Sequence, residues 1–283
     1  MVPPRHALTV DVEDYFQVQA FAGTIPHADW ERWPRRVEAN TERLLDLFAA
    51  AGVQATFFTL GWVAERHPAL IRRIVAAGHE LASHGYGHEL VDQIGEAAFR
   101  ADVTRARAVL EDTGGVAVGG YRAPTFSLGA RTPWAFGVLA AGGYRYSSSL
   151  YPVRHDLYGS PDAPRLPHRV AGGALWEIPM TTLRLGGRNW PVAGGGWFRL
   201  LPYPLFRAAL RRRLAAEAVP ALFYTHPWEL DPGQPRVAGA SARARFRHYT
   251  GLAATERRLC RLLGDFAWGR MDHVFADQLG EAG

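Results

Sequence analysis

The sequence predicts one α/β domain built around a mostly parallel sheet, and two observations point to it. Seven short apolar runs have the length and the β-branched or aromatic content of buried strands. Amphipathic helical patterns lie between most of these runs. Alternating strands and helices are typical of a parallel barrel or a doubly wound sheet, and both folds place the active site at the carboxyl ends of the strands.

The predicted elements follow one another at short intervals. The candidate strands are Ala7–Val12, Gln54–Phe58, Glu80–Ala82, Val116–Tyr121, Tyr144–Tyr146, Leu175–Ile178 and Leu222–Thr225. The helical patterns are Val37–Ala51, Pro68–Ala77, Glu96–Thr113, Thr132–Ala141, Tyr203–Glu217 and Thr250–Leu263, and a segment over Phe266–Phe275 closes the chain. No repeat or low-complexity linker interrupts this order, so we expect a single domain over residues 1–283, with a C-terminal extension from about residue 230 packed on it.

One segment does not fit the alternation. Residues Gly186–Trp197 are rich in glycine and tryptophan, which predicts a long loop rather than a packed element. Such loops are commonly functional or mobile, so we expect this one to cover the site. The run Gly194–Gly196 is not a phosphate-binding loop, because no lysine follows it at the required spacing.

Composition and charge exclude several classes of protein. The chain has 283 residues, of which 48% are hydrophobic, enough for one large core. Its apolar runs are far shorter than the roughly 18 residues of a membrane-spanning helix, and its first residues lack the apolar stretch of a signal peptide, so we expect a cytoplasmic protein. A single cysteine, Cys260, excludes an internal disulfide and a multi-cysteine metal site.

The net charge is +5, and all 32 basic residues are arginine. Basic chains can bind nucleic acid, but coding bias explains a chain without lysine at least as well. The densest cluster, Arg211–Arg213, lies in a helical pattern and has no nucleic-acid-binding motif beside it. We therefore expect no nucleic-acid partner.

Three carboxylates, Asp11, Glu13 and Asp14, stand at the end of the first predicted strand. Two close like charges stay ionised together only beside a cation, so the cluster suits a site with one base and one metal ligand. A turn or a helix cap is the alternative explanation.

Two histidines four residues apart, His84 and His88, follow the third predicted strand with glycines between them. A turn there can direct both imidazoles toward one ion, and imidazoles with a carboxylate suit zinc, iron, nickel or cobalt. A polar histidine pair on a loop is the alternative. One carboxylate and two imidazoles leave the ion open to water and substrate, as a catalytic site requires.

Two further strand ends carry polar groups. Arg122 follows the fourth strand and can hold a carboxylate through two hydrogen bonds. His226 follows the last strand and could protonate a leaving amine. The ordinary explanations are a surface arginine before a turn and a histidine that caps a turn.

Four motifs together resemble those of the polysaccharide deacetylases with a NodB-type domain. They are Asp-Val-Glu-Asp-Tyr-Phe at 11–16, Ser-His-Gly-Tyr-Gly-His at 83–88, Tyr-Arg-Ala-Pro at 121–124 and His-Pro-Trp-Glu at 226–229. The resemblance spans nearly the whole chain and looks closest to the branch found in bacterial exopolysaccharide gene clusters. It implies a distorted (β/α)7 barrel and a metal-dependent hydrolase that acts on N-acetyl sugars.

The resemblance also implies a role for each motif residue. Asp11 is the expected general base, Arg122 its tether and His226 the general acid. The expected ligands of one divalent transition metal, with zinc ahead of cobalt, nickel and iron, are Glu13, His84 and His88. Relatives differ in the spacing of the two acids, and strand alternation favours Glu13 over Asp14 because Glu13 shares a face with Asp11.

Expected contacts with the substrate come from Tyr86, Thr125, Trp190, Trp197 and Trp228, with the Thr125 backbone N–H as an oxyanion donor and the tryptophans as stacking faces. One departure concerns Ser147, which stands where many relatives have an aspartate that supports the arginine. Arg122 is therefore expected to have less support here.

The predicted function is deacetylation of an N-acetylated polysaccharide or of a lipid-linked precursor sugar, with other exopolysaccharide assembly proteins as candidate partners. Two alternatives stay open. One is hydrolysis of cyclic amides, which metal-poor relatives of this barrel perform, and the other is a catalytically silent carbohydrate-binding protein. Complete base, acid and ligand positions favour the deacetylase.

Overall fold

A curled, mostly parallel sheet forms the centre of the computed structural model, which describes residues 6–280. Its strands run in the order β10-β1-β2-β3-β4-β5-β7-β6, and β11 also pairs with β1. The strands are β1 (His6–Val12), β2 (Thr56–Thr59), β3 (Glu80–Ser83), β4 (Gly120–Tyr121), β5 (Tyr146–Ser147), β6 (His168–Val170), β7 (Leu175–Glu177), β8 (Thr182–Leu185), β9 (Arg188–Pro191), β10 (Leu222–Thr225) and β11 (Trp268–Gly269). Among the strands of the described residues, β6 alone in this sheet runs antiparallel to its neighbour, and β8 and β9 form a separate hairpin.

Helices cover the outside of this sheet. They are α1 (Val37–Ala51), α2 (Gly61–Arg66), α3 (Pro68–Ala76), α4 (Val91–Gly114), α5 (Trp134–Ala141), α6 (Gly195–Leu200), α7 (Tyr203–Ala216), α8 (Ala242–Tyr249), α9 (Leu252–Asp265), α10 (Met271–Val274) and α11 (Ala276–Leu279). Helix α4 contacts α2, α3 and α5, while α1 contacts α3 and α9. No helix in residues 6–280 is both long and apolar enough to cross a membrane.

The local sequence explains why the main elements form. Strand β1 is buried along almost its whole length, as expected of a central parallel strand with both faces covered. Helix α1 buries Leu44, Leu45 and Phe48 on one side and ends at Gly52, whose left-handed conformation (φ 64°) suits a glycine cap. The predicted bounds of α1 are confirmed.

The sheet is a curled half-barrel rather than a closed barrel. Seven strands run parallel, in an order that roughly follows a (β/α)7 barrel, and they are β10, β1, β2, β3, β4, β5 and β7. Among the described residues no strand ladder joins β7 to β10, because the chain between them forms the β8–β9 hairpin. An isolated bridge between Gly194 and Tyr224 attaches this region to β10.

The prediction of a long loop over Gly186–Trp197 is wrong. Gly186 and Gly187, with φ of 58° and 72°, form the two-residue turn between β8 and β9. Gly194 passes so close to β10 that a Cβ there would lie 2.0 Å from the backbone oxygen of Tyr224, and α6 begins at Gly195. The glycines therefore serve a tight turn and a close backbone approach.

Candidate active site

Side chains from four strand ends meet in one pocket at the carboxyl edge of the sheet. Strand β1 contributes Asp11 and Glu13, and the segments after β3, β4 and β10 contribute the rest of the framework. The lining residues are Asp11, Glu13, Val18, Gln19, His84, His88, Ala123, Thr125, Phe126, Tyr158, Tyr224, His226 and Trp228. The structure thus brings together the predicted base, the predicted acid and the predicted metal ligands.

Glu13, His84 and His88 lie close enough together to hold one metal ion. One ligand atom from each lies within 4.8 Å of the others, and all three residues are buried. His84 Nδ1 lies 2.9 Å from the Arg122 carbonyl oxygen, which only accepts, so Nδ1 carries the proton and Nε2 keeps its lone pair. This buried set of one carboxylate and two imidazoles fits a divalent transition metal.

The charge states of two of these residues also suit a metal. Burial alone would raise the pKa of Glu13, but attraction to His88, His226 and His84 lowers it to about 2. Burial lowers the pKa of His84 to about 4. At neutral pH the carboxylate is therefore ionised and the His84 imidazole is neutral, which are the forms that bind metals.

Asp14 points away from this group, toward the start of α1. Its Oδ2 atom accepts the backbone N–H groups of Arg36 (2.7 Å) and Val37 (3.0 Å), and its Oδ1 atom accepts that of Tyr15 (2.9 Å). Burial raises the pKa of Asp14 to about 6. The helix-cap explanation of the acidic cluster therefore applies to Asp14.

Asp11 is tethered by Arg122, and both side chains are buried. Arg122 Nη1 donates to Asp11 Oδ1 at 2.5 Å and to the Thr9 hydroxyl at 2.8 Å. The contact to Asp11 uses one guanidinium nitrogen rather than the two-bond arrangement that the sequence suggests. Support for the guanidinium comes from Ser148, whose backbone oxygen accepts from Nε (3.1 Å) and whose hydroxyl accepts from Nη2 (3.2 Å). Ser147 instead donates to the Ser149 hydroxyl.

His226 is held by Glu229 on the same turn. His226 Nδ1 lies 3.5 Å from Glu229 Oε1, and the His226 backbone N–H donates to Glu229 Oε2 at 3.2 Å. Burial alone would lower the pKa of His226, but Glu229 raises it to about 9, so the imidazole carries a proton at neutral pH. The opposite nitrogen, Nε2, lies 3.9 Å from Asp11 Oδ2 and 3.7 Å from Glu13 Oε1.

A buried arginine completes this arrangement, and the sequence analysis did not find it. Arg199 Nε donates to Glu229 Oε1 at 2.9 Å. Burial alone would raise the pKa of Glu229, but Arg199 and His226 lower it to about 2. Glu229 could have been found, because it stands three residues after His226 in a quoted motif. Arg199 lies in a separate helix with no motif to mark it.

The predicted substrate residues are divided between the pocket and the surface. Thr125 and Trp228 line the pocket, and Trp228 Nε1 donates to Glu13 Oε1 at 3.2 Å. Tyr86 lies outside the lining, and its hydroxyl contacts Glu65 and Arg105.

The two tryptophans of the Gly186–Trp197 segment also differ in position. Trp190 is 49% exposed on strand β9 and does not line the pocket. Trp197 does not line the pocket either, but it interacts with the side chain of Tyr158, a lining residue in an irregular segment that no sequence pattern marks. Tyr158 is therefore a candidate substrate contact that the sequence analysis missed.

Two family models match this chain, each over a different segment. Residues 29–146 match the polysaccharide deacetylase family, and residues 148–276 match a domain of unknown function, DUF3473. The first of these matches supports a polysaccharide deacetylase domain in this chain. The pocket draws on both matched segments, since His84 and His88 lie in the first and His226 in the second, while Asp11 and Glu13 precede both.

Individual relatives are similar over different lengths. Peptidoglycan-N-acetylglucosamine deacetylase of Bacillus cereus is 32% identical over 84 residues, which are 30% of this chain and 30% of that enzyme. A proposed polysaccharide deacetylase from Mycobacterium smegmatis has a similar structure, with 25% identity, a TM-score of 0.62 and coverage of 99% of this chain and 94% of that one. Puue allantoinase shares the fold at 19% identity and a TM-score of 0.59, over 99% and 93% of the two chains.

Proposed function

We propose that this protein is a metal-dependent deacetylase that removes N-acetyl groups from an amino-sugar polysaccharide or from its lipid-linked precursor. One observation carries the proposal: the predicted base, the predicted acid and a three-residue metal site line the same pocket. The peptidoglycan-N-acetylglucosamine deacetylase named above supports a sugar acetamide as the substrate. The assignment to exopolysaccharide synthesis rests on the motif resemblance.

Each protein group has a defined task in this reaction. A divalent metal held by Glu13, His84 and His88 would polarise the acetyl carbonyl and lower the pKa of a water molecule. Asp11, whose Oδ1 atom is tied to Arg122, accepts the proton of the attacking water. His226 donates a proton to the departing sugar amine, so that the amide bond breaks into acetate and a free amine.

The base and the acid lie close enough to each other to act on the same substrate group. His226 Nε2 and Asp11 Oδ2 lie 3.9 Å apart, so both can reach groups on the same acetamide. Thr125 lines the pocket beside them, and its backbone N–H is the proposed second donor to the oxyanion.

Acetate release tests the function directly. The protein is incubated with a panel of N-acetylated glycans, before and after chelation and with metal added back. We expect chelation-sensitive acetate release from at least one glycan, and Asp11→Asn should slow it by about 10²–10⁴ while keeping the metal. Ring opening of a cyclic amide such as allantoin without acetate release would favour the amidohydrolase alternative. If the protein carries its full metal content and is inactive on every substrate, the result would favour a catalytically silent carbohydrate-binding protein.

The acid role of His226 has its own test. His226→Ala should slow hydrolysis of the sugar amide far more than that of an activated acetyl ester, because a good leaving group needs little protonation. Equal losses on both substrates would mean that His226 positions the substrate or stabilises the oxyanion instead.

A further inference from the structure

Glu177 is a buried carboxyl that the proposed reaction does not use. It ends β7 and is fully buried, and no positively charged side chain in the described part of the chain forms an ion pair with it. Its Oε1 atom accepts two successive backbone N–H groups, from Ser149 (2.9 Å) and Leu150 (2.7 Å). Burying a carboxyl group is costly, and these two bonds fix the backbone turn after β5.

The Ser148–Ser149 turn contacts both the side chain of Arg122 and the backbone of the next residue, Ala123. Ser148 accepts from Arg122 Nε and Nη2, as described above. The hydroxyl of Ser149 accepts the backbone N–H of Ala123 at 2.9 Å. A chain of contacts therefore runs from Glu177 through the Ser148–Ser149 turn to Arg122, and from Arg122 Nη1 to Asp11.

We propose that Glu177 is a positioning residue for Asp11, acting through the Ser148–Ser149 turn and Arg122. Strand register supports this, because Ser147 on β5 lies directly opposite Glu177 on β7. The neighbouring strand thus places a carboxyl group at the same level of the sheet as position 147, and this group contacts the backbone of Ser149 and Leu150 rather than Arg122 itself. Its catalytic consequence rests on the proposed function.

Glu80 provides a matched control. It is also a strand carboxyl that is almost completely buried, and it bonds to Thr56, to the Tyr146 hydroxyl and to the backbone N–H of Asp272. Because it begins β3, it lies at the opposite edge of the sheet from the pocket. Shortening Glu80 should cost stability without affecting Arg122.

The first measurement does not depend on activity. The Arg122 Nε–H resonance is assigned in ¹⁵N-labelled protein by its loss in Arg122→Lys, and its exchange with solvent is compared across variants. Glu177→Asp withdraws the acceptor by one methylene, so we expect exchange at least about tenfold faster. Glu177→Gln keeps an oxygen for both N–H groups and should stay near wild type, as should Glu80→Asp. Unchanged exchange in Glu177→Asp would overturn the proposal.

The second measurement is kinetic. Glu177→Asp should lower kcat by about tenfold or more with KM and metal content unchanged, because small displacements of a catalytic group greatly slow the reaction. Glu177→Gln should keep most of the wild-type kcat. In an Arg122→Lys background, Glu177→Asp should add less than a twofold loss. Multiplicative losses would mean that Glu177 does not act through Arg122. If the wild-type protein releases no acetate, the proposed function fails, while the exchange experiment still decides the role of Glu177.

Discussion

Arg199 allows a quantitative test of how the proposed acid is held in place. Its side chain is 4% exposed and that of Glu229 is 1% exposed, and the two are joined at 2.9 Å. The remaining guanidinium nitrogens donate to the backbone oxygens of Arg247 (3.0 Å), His248 (2.7 Å) and Thr250 (2.8 Å). Arg199 therefore both neutralises Glu229 and fixes the end of α8.

The expected cost follows from these contacts. Arg199→Met keeps a long side chain but leaves Glu229 without its arginine, and breaking a buried ion pair costs about 3–5 kcal/mol. His226 still lies 3.5 Å from Glu229 in this variant, which limits the electrostatic part of the lost stability. Three backbone carbonyl oxygens lose their hydrogen-bond donor, which adds to the loss. We therefore expect a loss of about 4 kcal/mol in the free energy of unfolding, together with a lower kcat because Glu229 no longer fixes His226.

Urea unfolding followed by far-ultraviolet circular dichroism measures this cost. The control is Arg100→Met, which breaks an arginine–glutamate pair of similar length, 3.0 Å to Glu96, whose side chains are 51% and 52% exposed. An exposed pair of this kind contributes at most about 0.5 kcal/mol. Similar losses in the two variants would show that burial of the Arg199 pair does not determine its contribution, and the reasoning would be refuted.

Metal content, acid stability and substrate length test three other parts of the structure. Glu13→Ala should lose the bound metal, as measured by mass spectrometry. Asp14→Ala should keep the metal and lose about 1 kcal/mol of stability, because Asp14 caps α1. Metal loss in Asp14→Ala would contradict this assignment. Burial lowers the pKa of His79 from 6.5 to about 4. The free energy of unfolding of the wild type should therefore fall by about 3 kcal/mol, relative to that of His79→Asn, as the pH drops through this range. If urea unfolding gives the two proteins the same dependence of stability on pH, the prediction is refuted. Trp190→Ala should raise KM for a polymer only. Trp197→Ala should raise KM for short sugars as well, because Trp197 interacts with the pocket residue Tyr158. Identical effects of the two variants would contradict the different positions of these tryptophans.

The strand ends that line the candidate site could be predicted because the sequence marks them locally. Each pairs a short buried run with polar residues directly after it, as at Asp11 and His226. In a parallel sheet such ends meet at one edge, so residues more than 200 positions apart could be expected in one pocket. Local sequence also predicted α1, because the spacing of its apolar residues and the glycine after its last residue indicate the same helix.

Strands β6 and β11 could not be predicted because they are too short to show a period. Strand β6 has three residues and β11 has two. Strands β4 and β5 also have only two residues each, and they were found because longer apolar runs, Val116–Tyr121 and Tyr144–Tyr146, overlap them. Their pairing is set by neighbours rather than by their own composition. The β8–β9 hairpin did have a local marker, since Gly186-Gly187 between two strand-like runs favours a two-residue turn, but the glycine and tryptophan content was interpreted as a loop.

The missed site residues depend on contacts between distant segments. Arg199 lies 30 residues before Glu229 in a different helix, and its guanidinium also binds carbonyls around residue 248. Glu177 acts on a serine turn that belongs to another strand. No spacing rule relates such pairs, because the separation is set by the length of the helices and hairpins between them.

Two buried arginines, Arg122 and Arg199, can keep both proposed proton-transfer groups in position through a reaction cycle. Arg122 holds the proposed base and Arg199 holds the carboxylate behind the proposed acid, and each donates from Nε and from both Nη nitrogens to more than one residue. A guanidinium stays charged at any pH the protein experiences, so these contacts persist when Asp11 gains a proton or His226 loses one. An ammonium group directs all its donors from a single atom. Lysine at either position therefore keeps the charge but not the set of contacts that orients the base and the acid.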